Sequence, residues 1–179
     1  MTMKTNLKSL MLLLLISLSV IASAAAGSIS KELPVSSFQK LYVSGNLHVV
    51  FTAGTNQMVR IEGSNRAVSS VVMNQKDSQL TISRMEWNDE NDPVTVYLTV
   101  SELNMLVISG NAMVECETTI HGSVLSLLHK GTGAVKLKSD ADLVQTMITR
   151  SGRIAVEGNY TNTVSRLDAS NHMLVAYSK

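Results

Sequence analysis

The stretch Ser109-Gly110-Asn111-Ala112-Met113-Val114 decides the reading of the fold, because related stretches recur on either side of it. Ser44-Gly45-Asn46-Leu47-His48-Val49 shares its pattern, and Gly131-Thr132-Gly133-Ala134-Val135, Arg150-Ser151-Gly152-Arg153-Ile154 and Ala169-Ser170-Asn171-His172-Met173 continue it more loosely. Registered on the apolar residue, Val114, Val135, Ile154 and Met173 are spaced by 21, 19 and 19 positions. A small-residue turn and a short apolar strand, repeated about every 20 residues, mark a chain that stacks one coil on the next. Gly and Asn suit the corners because they adopt a left-handed backbone cheaply. In this register Val49, Val114, Val135, Ile154 and Met173 point inward, and Val114 and Val135 are direct neighbours. His48, Met113, Ala134, Arg153 and His172, each one position earlier, face out.

The rest of the sequence has the grammar of short strands. Leu47 to Phe51, Met58 to Ile61, Gln79 to Ile82, Val94 to Val100 and Met113 to Cys116 are rich in β-branched residues and often alternate. Pro34 and Pro93 each precede a predicted strand, where a missing amide donor costs little. Only Val68 to Met73 resembles a helical turn, and it reads as strand or loop. The expected fold is therefore all-β: a single-domain right-handed parallel β-helix, a solenoid of about seven coils of roughly 20 residues. An antiparallel β-sandwich shares the strand composition but not the spacing, and is the alternative. Residues 85–92, Met-Glu-Trp-Asn-Asp-Glu-Asn-Asp, interrupt the rhythm as an acidic loop that carries Trp87.

The N-terminus sets the compartment. Lys4 and Lys8 precede an almost unbroken apolar run over residues 10–21, and Ala22 to Ala26 offer small-x-small cleavage sites. That is the layout of a secretory signal peptide, with residues 1–26 removed and residues 27–179 forming one domain. The run is short for a membrane span, and no Cys lies at the cut to take a lipid. Export is the expectation, to the periplasm, the outer surface or the medium, with no transmembrane span after cleavage. Loss of the two lysines tips the formal charge from +1 to slightly negative. A near-neutral chain lacks the basic field that nucleic acid requires. Cys116 is the single cysteine, so no internal disulfide forms.

At this point a family resemblance enters. Phe38-x-x-Leu41-x-Val43-Ser44-Gly45, then Val59-x-Ile61-x-Gly63, Leu80-x-Ile82 and Leu103-x-x-Leu106-x-Ile108-Ser109-Gly110 resemble the auto-transporter adhesin head GIN domain. The resemblance runs from about Val35 to the end. It implies a right-handed parallel β-helix in an exported adhesin, and it transfers no catalytic residue. Where the family shows a cleaner Gly-Ser-Gly, this chain carries Asn111, Arg150 and Asn171.

The chemistry-bearing residues favour a binding protein over an enzyme. Asp140, Asp142, Glu157 and Asp168 are the candidate carboxylates for glycosidic acid/base work, and a carbohydrate-active β-helix enzyme or its degenerate relative is the alternative function. Asp140 and Asp142, however, sit in a Lys-Ser-Asp-Ala-Asp corner, where acids bond locally to the backbone. His48, His121, His129 and His172 lack zinc spacing, and the acidic loop lacks the ligand spacing of a calcium hand, so neither a metal nor a cofactor is expected. Cys116 follows Val114 in strand alternation and should point inward. Aromatics are scattered. Trp87 alone is singled out as a binding residue, because Trp on a loop is favoured at recognition sites. The expected partner is a surface glycan or an envelope protein.

Overall fold

The computed structural model describes the backbone of residues 28–85, 92–167 and 173–178, and side chains as far as Thr161. In chain order the strands are β1 (Ile29–Pro34), β2 (Lys40–Ser44), β3 (His48–Ala53), β4 (Met58–Gly63), β5 (Val71–Lys76), β6 (Gln79–Arg84), β7 (Val94–Val100) and β8 (Met105–Ser109). They continue as β9 (Met113–Ile120), β10 (Val124–His129), β11 (Ala134–Ser139), β12 (Leu143–Ile148), β13 (Arg153–Glu157), β14 (Thr161–Leu167) and β15 (Met173–Ser178). They form two sheets, β1-β4-β7-β3-β9-β11-β13 and β15-β14-β12-β10-β8-β2-β6-β5. From β8 to β14 the chain alternates between the sheets, and each strand pairs in parallel with the one two places on.

The expectation of a single right-handed parallel β-helix is overturned, because both sheets are mixed. Antiparallel pairs β1–β4, β4–β7, β5–β6 and β14–β15 flank the parallel ladders. The physical reason lies in the turns. β5 and β6 are joined by only two residues, Asp77 and Ser78, with Asp77 at φ 52°. A two-residue link reverses the chain, whereas a parallel neighbour needs a crossover. Nor is strand order sequence order: β2 lies between β6 and β8, and β3 between β7 and β9. Met173 does not extend the inward row from Ile154, since β15 runs antiparallel to β14 in the other sheet.

The local register survives that correction. Val96, Val49, Val114, Val135 and Ile154 are successive partners across one sheet. Val49, Val114 and Val135 are buried, and Ile154 is half-buried on the terminal strand. His48, Met113, Ala134 and Arg153 form the next row and face out as expected. In the other sheet the inward rows are Leu80-Leu41-Leu106-Leu127 and Ile82-Val43-Ile108-His129. The facing Val and Leu rows make one continuous core, closed by Phe38, Phe51 and Leu103. Cys116 pairs with Phe51 and is buried, as its alternation predicts.

Corner glycines have two different causes. Gly45 (φ 97°) and Gly110 (φ 72°) adopt the left-handed backbone that the Ser-Gly-Asn turns require. Gly131 does not; it is Gly because a Cβ there would strike the backbone of Gly110, whose carbonyl accepts from Thr132 N at 2.9 Å.

Between β4 and β5 lies a helix that the sequence reading missed, α1 (Asn65–Ser69). Ser64 caps it, its Oγ accepting from Ala67 N at 3.0 Å. Ala67 and Val68 are buried against the core. At five residues, it is too short for periodicity to have shown it.

Candidate functional site

Each sheet turns one face to the core and one to solvent, and the two outer faces differ in chemistry. On the eight-stranded sheet the outward residues of β2, β8, β10 and β12 are Lys40, Tyr42, Ser44, Met105, Val107, Ser109, Val124, Ser126, Leu128, Leu143, Gln145 and Met147. Register aligns Tyr42, Val107, Leu128 and Met147 in one row, and Lys40, Met105, Ser126 and Gln145 in the row beside it. Between the rows runs an open groove of about 370 Å³, lined by Met105, Val107, Ser126, Leu128, Gln145 and Met147. The Tyr42 hydroxyl donates to the Met105 sulfur at 3.7 Å and fixes it at one end. A contiguous apolar row turned to the solvent side marks a candidate interaction surface.

The seven-stranded sheet presents charge instead. Its outer face carries Glu32, Arg60, Glu62, Glu115, Lys136, Lys138 and Arg153 along β1, β4, β9, β11 and β13. Arg60 lies 4.3 Å from the centre of the Tyr97 ring and pairs with Glu62. A second groove, of about 350 Å³, is lined by Glu32, Val50, Thr52, Arg60, Tyr97 and Glu117. Its aromatic ring is covered by its own arginine, which removes it as a free stacking surface.

Of the candidate catalytic carboxylates, Asp140, Asp142 and Glu157 face solvent. Asp140 pairs with His121, Nδ1 to Oδ1 2.7 Å, at the exposed corner before β12. Asp142 is exposed at that same corner, and Glu157 is exposed at the end of β13, in register with Lys138. Asp168, His172 and Trp87 lie outside the described residues. So does most of the acidic loop, although its base is anchored: Arg84 donates to Asp92 O at 2.7 Å, to Asn46 O at 3.0 Å and to Ser70 Oγ at 3.1 Å.

His129 is the residue whose role the sequence did not disclose. It occupies an Ile/Val position in the inward row and is fully buried. Gly131 N donates to its Nδ1 at 3.0 Å, and its Nε2 lies 3.1 Å from Gly133 O. With Nδ1 accepting, the proton sits on Nε2, which donates to Gly133. Burial lowers its pKa below the usual imidazole value. A Cβ on Gly152 would overlap the ring. Burial pushes the Cys116 thiol up, which makes it a packed, unreactive group.

The profile of the family described as "Putative auto-transporter adhesin, head GIN domain" matches residues 37–172. The chain belongs to that family. Among solved structures, this head GIN domain resembles a putative adhesin from Bacteroides fragilis, with TM-score 0.69 and 19% identity over 75% of this chain. It spans 64% of that protein's length. A putative adhesin from Parabacteroides distasonis matches with TM-score 0.60 and 18% identity, over 79% of this chain and 70% of its own. A protein from the same species, described as a putative lipid binding protein, matches with TM-score 0.54 and 13% identity, over 79% and 73%. At such identities the likeness is one of fold. Among curated proteins, none matches the sequence.

The groove of this head GIN domain was only half legible. The runs Met105-Leu106-Val107-Ile108 and Val124-Leu125-Ser126-Leu127-Leu128 are apolar at both alternating positions, which reads as a strand buried on both faces. The structure buries one face and leaves the other in water.

Proposed function

We propose that this head GIN domain is an exported, non-catalytic module that engages the cell envelope through the outer face of its eight-stranded sheet. The observation that carries this reading is the solvent-facing row Tyr42, Val107, Leu128 and Met147, set on a rigid ladder of parallel strands. Membership of an adhesin family supports it, as do the adhesin and lipid-binding descriptions of similar structures. The signal-like residues 1–26 supply the route out of the cell. Among the described residues no helix is long and apolar enough to cross a membrane, a statement that leaves membrane-crossing strands aside. The partner classes in view are a surface glycan and an envelope protein, with Trp87 as a second contact.

The test is retention of the exported chain on envelope fractions and on a glycan panel, beside its Leu128→Gln variant. Leu128 is half-buried on the solvent side of β10 and outside the core cluster, so the variant should fold. At least a tenfold loss of retention is expected. Equal retention by the two proteins would remove this face from the reading.

A further inference from the structure

The groove also says what kind of molecule it takes, an inference that rests on the eight-stranded sheet being the binding face. Of the twelve outward positions on β2, β8, β10 and β12, only Lys40 is charged. Lys40 stands in register with Met105, at the β2 end of the groove, and among the described residues its ammonium has no ion-pair partner. The groove runs across the strands from that end between Met105, Ser126 and Gln145 on one side and Val107, Leu128 and Met147 on the other. One cation a strand beyond the end of an open, uncharged, mostly apolar groove is complementary to an anion with a hydrocarbon tail. We propose that the site binds a single-chain anionic amphiphile, its head group at Lys40 and its alkyl chain lying across β8, β10 and β12.

Size and charge select this occupant over two others. A volume of about 370 Å³ falls within the range of small-ligand sites. Four strands at ~4.8 Å and two outward residues per strand, ~6.8 Å apart, give a footprint of roughly 260 Å², below the ~800 Å² that each partner buries in a stable protein pair. Beyond the groove the outward positions Ser44, Ser83, Ser109, Gln79 and Thr81 are polar, and among the described residues the Val124–Leu143 pair and the distant Val72 add apolar surface too small for a second copy. A face built for a bilayer surface surrounds its apolar residues with several Lys and Arg. Here there is one.

The experiment titrates dodecanoate, kept below the concentration at which it aggregates, into the chain as its host exports it, with calorimetric readout. Saturable binding at one per chain is expected. Leu128→Gln and Met147→Gln should each weaken it at least tenfold while melting temperature and circular dichroism stay unchanged. Lys40→Gln should weaken dodecanoate severalfold and leave a neutral-headed dodecyl glucoside unaffected. Absence of saturable dodecanoate binding, or equal binding by Leu128→Gln, overturns the proposal. So does retention on anionic phospholipid vesicles alone, or self-association that Leu128→Gln abolishes. If envelope retention is lost in Leu128→Gln while dodecanoate fails to bind, the ligand class is wrong and the binding face stands. If retention is indifferent to Leu128, the face itself is wrong.

Discussion

His129 places a titratable ring where the neighbouring rungs of the ladder hold Ile and Val. Its Nδ1 can accept from Gly131 only while unprotonated, so the folded state resists the second proton. The unfolded chain takes that proton at the ordinary imidazole pKa, near 6.5. Stability is therefore fully present above that value. It is lost as pH falls from ~6.5 toward the lowered folded pKa, with a slope of at most about 1.4 kcal/mol per pH unit for one proton. Thermal melts from pH 7.5 to pH 5 should show a declining melting temperature. His129→Leu should be less stable at pH 7.5, by about 1–3 kcal/mol for the orphaned Gly131 donor, but should lose that part of the acid dependence. An unchanged acid profile in His129→Leu would assign the sensitivity elsewhere. The same scale holds a plainer test of the register. Val135 is 2% exposed between Val114 and Ile154. Val135→Asp buries a lone carboxylate and should cost several kcal/mol. A melt matching the parent chain's would refute its place in the core.

Strands and corners were legible where the chain repeats itself. Gly110, Gly131 and Gly152 mark successive corners, and their backbones stack: Thr132 N donates to Gly110 O at 2.9 Å and Gly152 N to Gly131 O at 3.1 Å. That stacking keeps Gly in the sequence and makes the spacing readable. Between β3 and β8 the motif is absent, and no repeat marks β4 and β5 as antiparallel to their neighbours. Pairing direction is set by link length, and the two-residue Asp77-Ser78 turn was the one available clue. The β6–β7 connection belongs to this scale as well. Arg84 and Asp92 anchor its two ends to Ser70, Asn46 and each other, and Asp92 Oδ2 also accepts from Ser64 Oγ at 2.8 Å. With the base anchored by these contacts, Trp87→Ala should leave the melting temperature within a few degrees and weaken envelope retention. A large fall in melting temperature, or native Trp fluorescence that resists aqueous quenchers, would make the ring a structural plug and end its claim as a contact.

At the scale of the whole molecule, sequence order and spatial order part company at the β2–β3 layer, which sits between the β6–β7 and β8–β9 layers. A periodicity argument assumes that each unit stacks on its predecessor, so it cannot show a chain that returns to lay a later unit beneath an earlier one. The inward rows stay continuous across that inversion because Val96 and Val114 present the same shape to either side of Val49. The arrangement also bears on the proposed removal of a signal peptide. β1 covers the edge of β4, pairing from Ile29–Gly63 to Pro34–Met58, and Leu33 packs on the core. An uncovered β4 would present a row of free backbone groups, a template for aggregation. The proposed cleavage is compatible with this strand only before Ile29, and the small-x-small pattern allows Ala25 or Gly27 as the first residue. N-terminal sequencing of the exported protein should read one of those two. A start beyond Pro34 would mean that β1 is dispensable to the sheet, and a product retaining residues 10–21 would overturn export by signal cleavage.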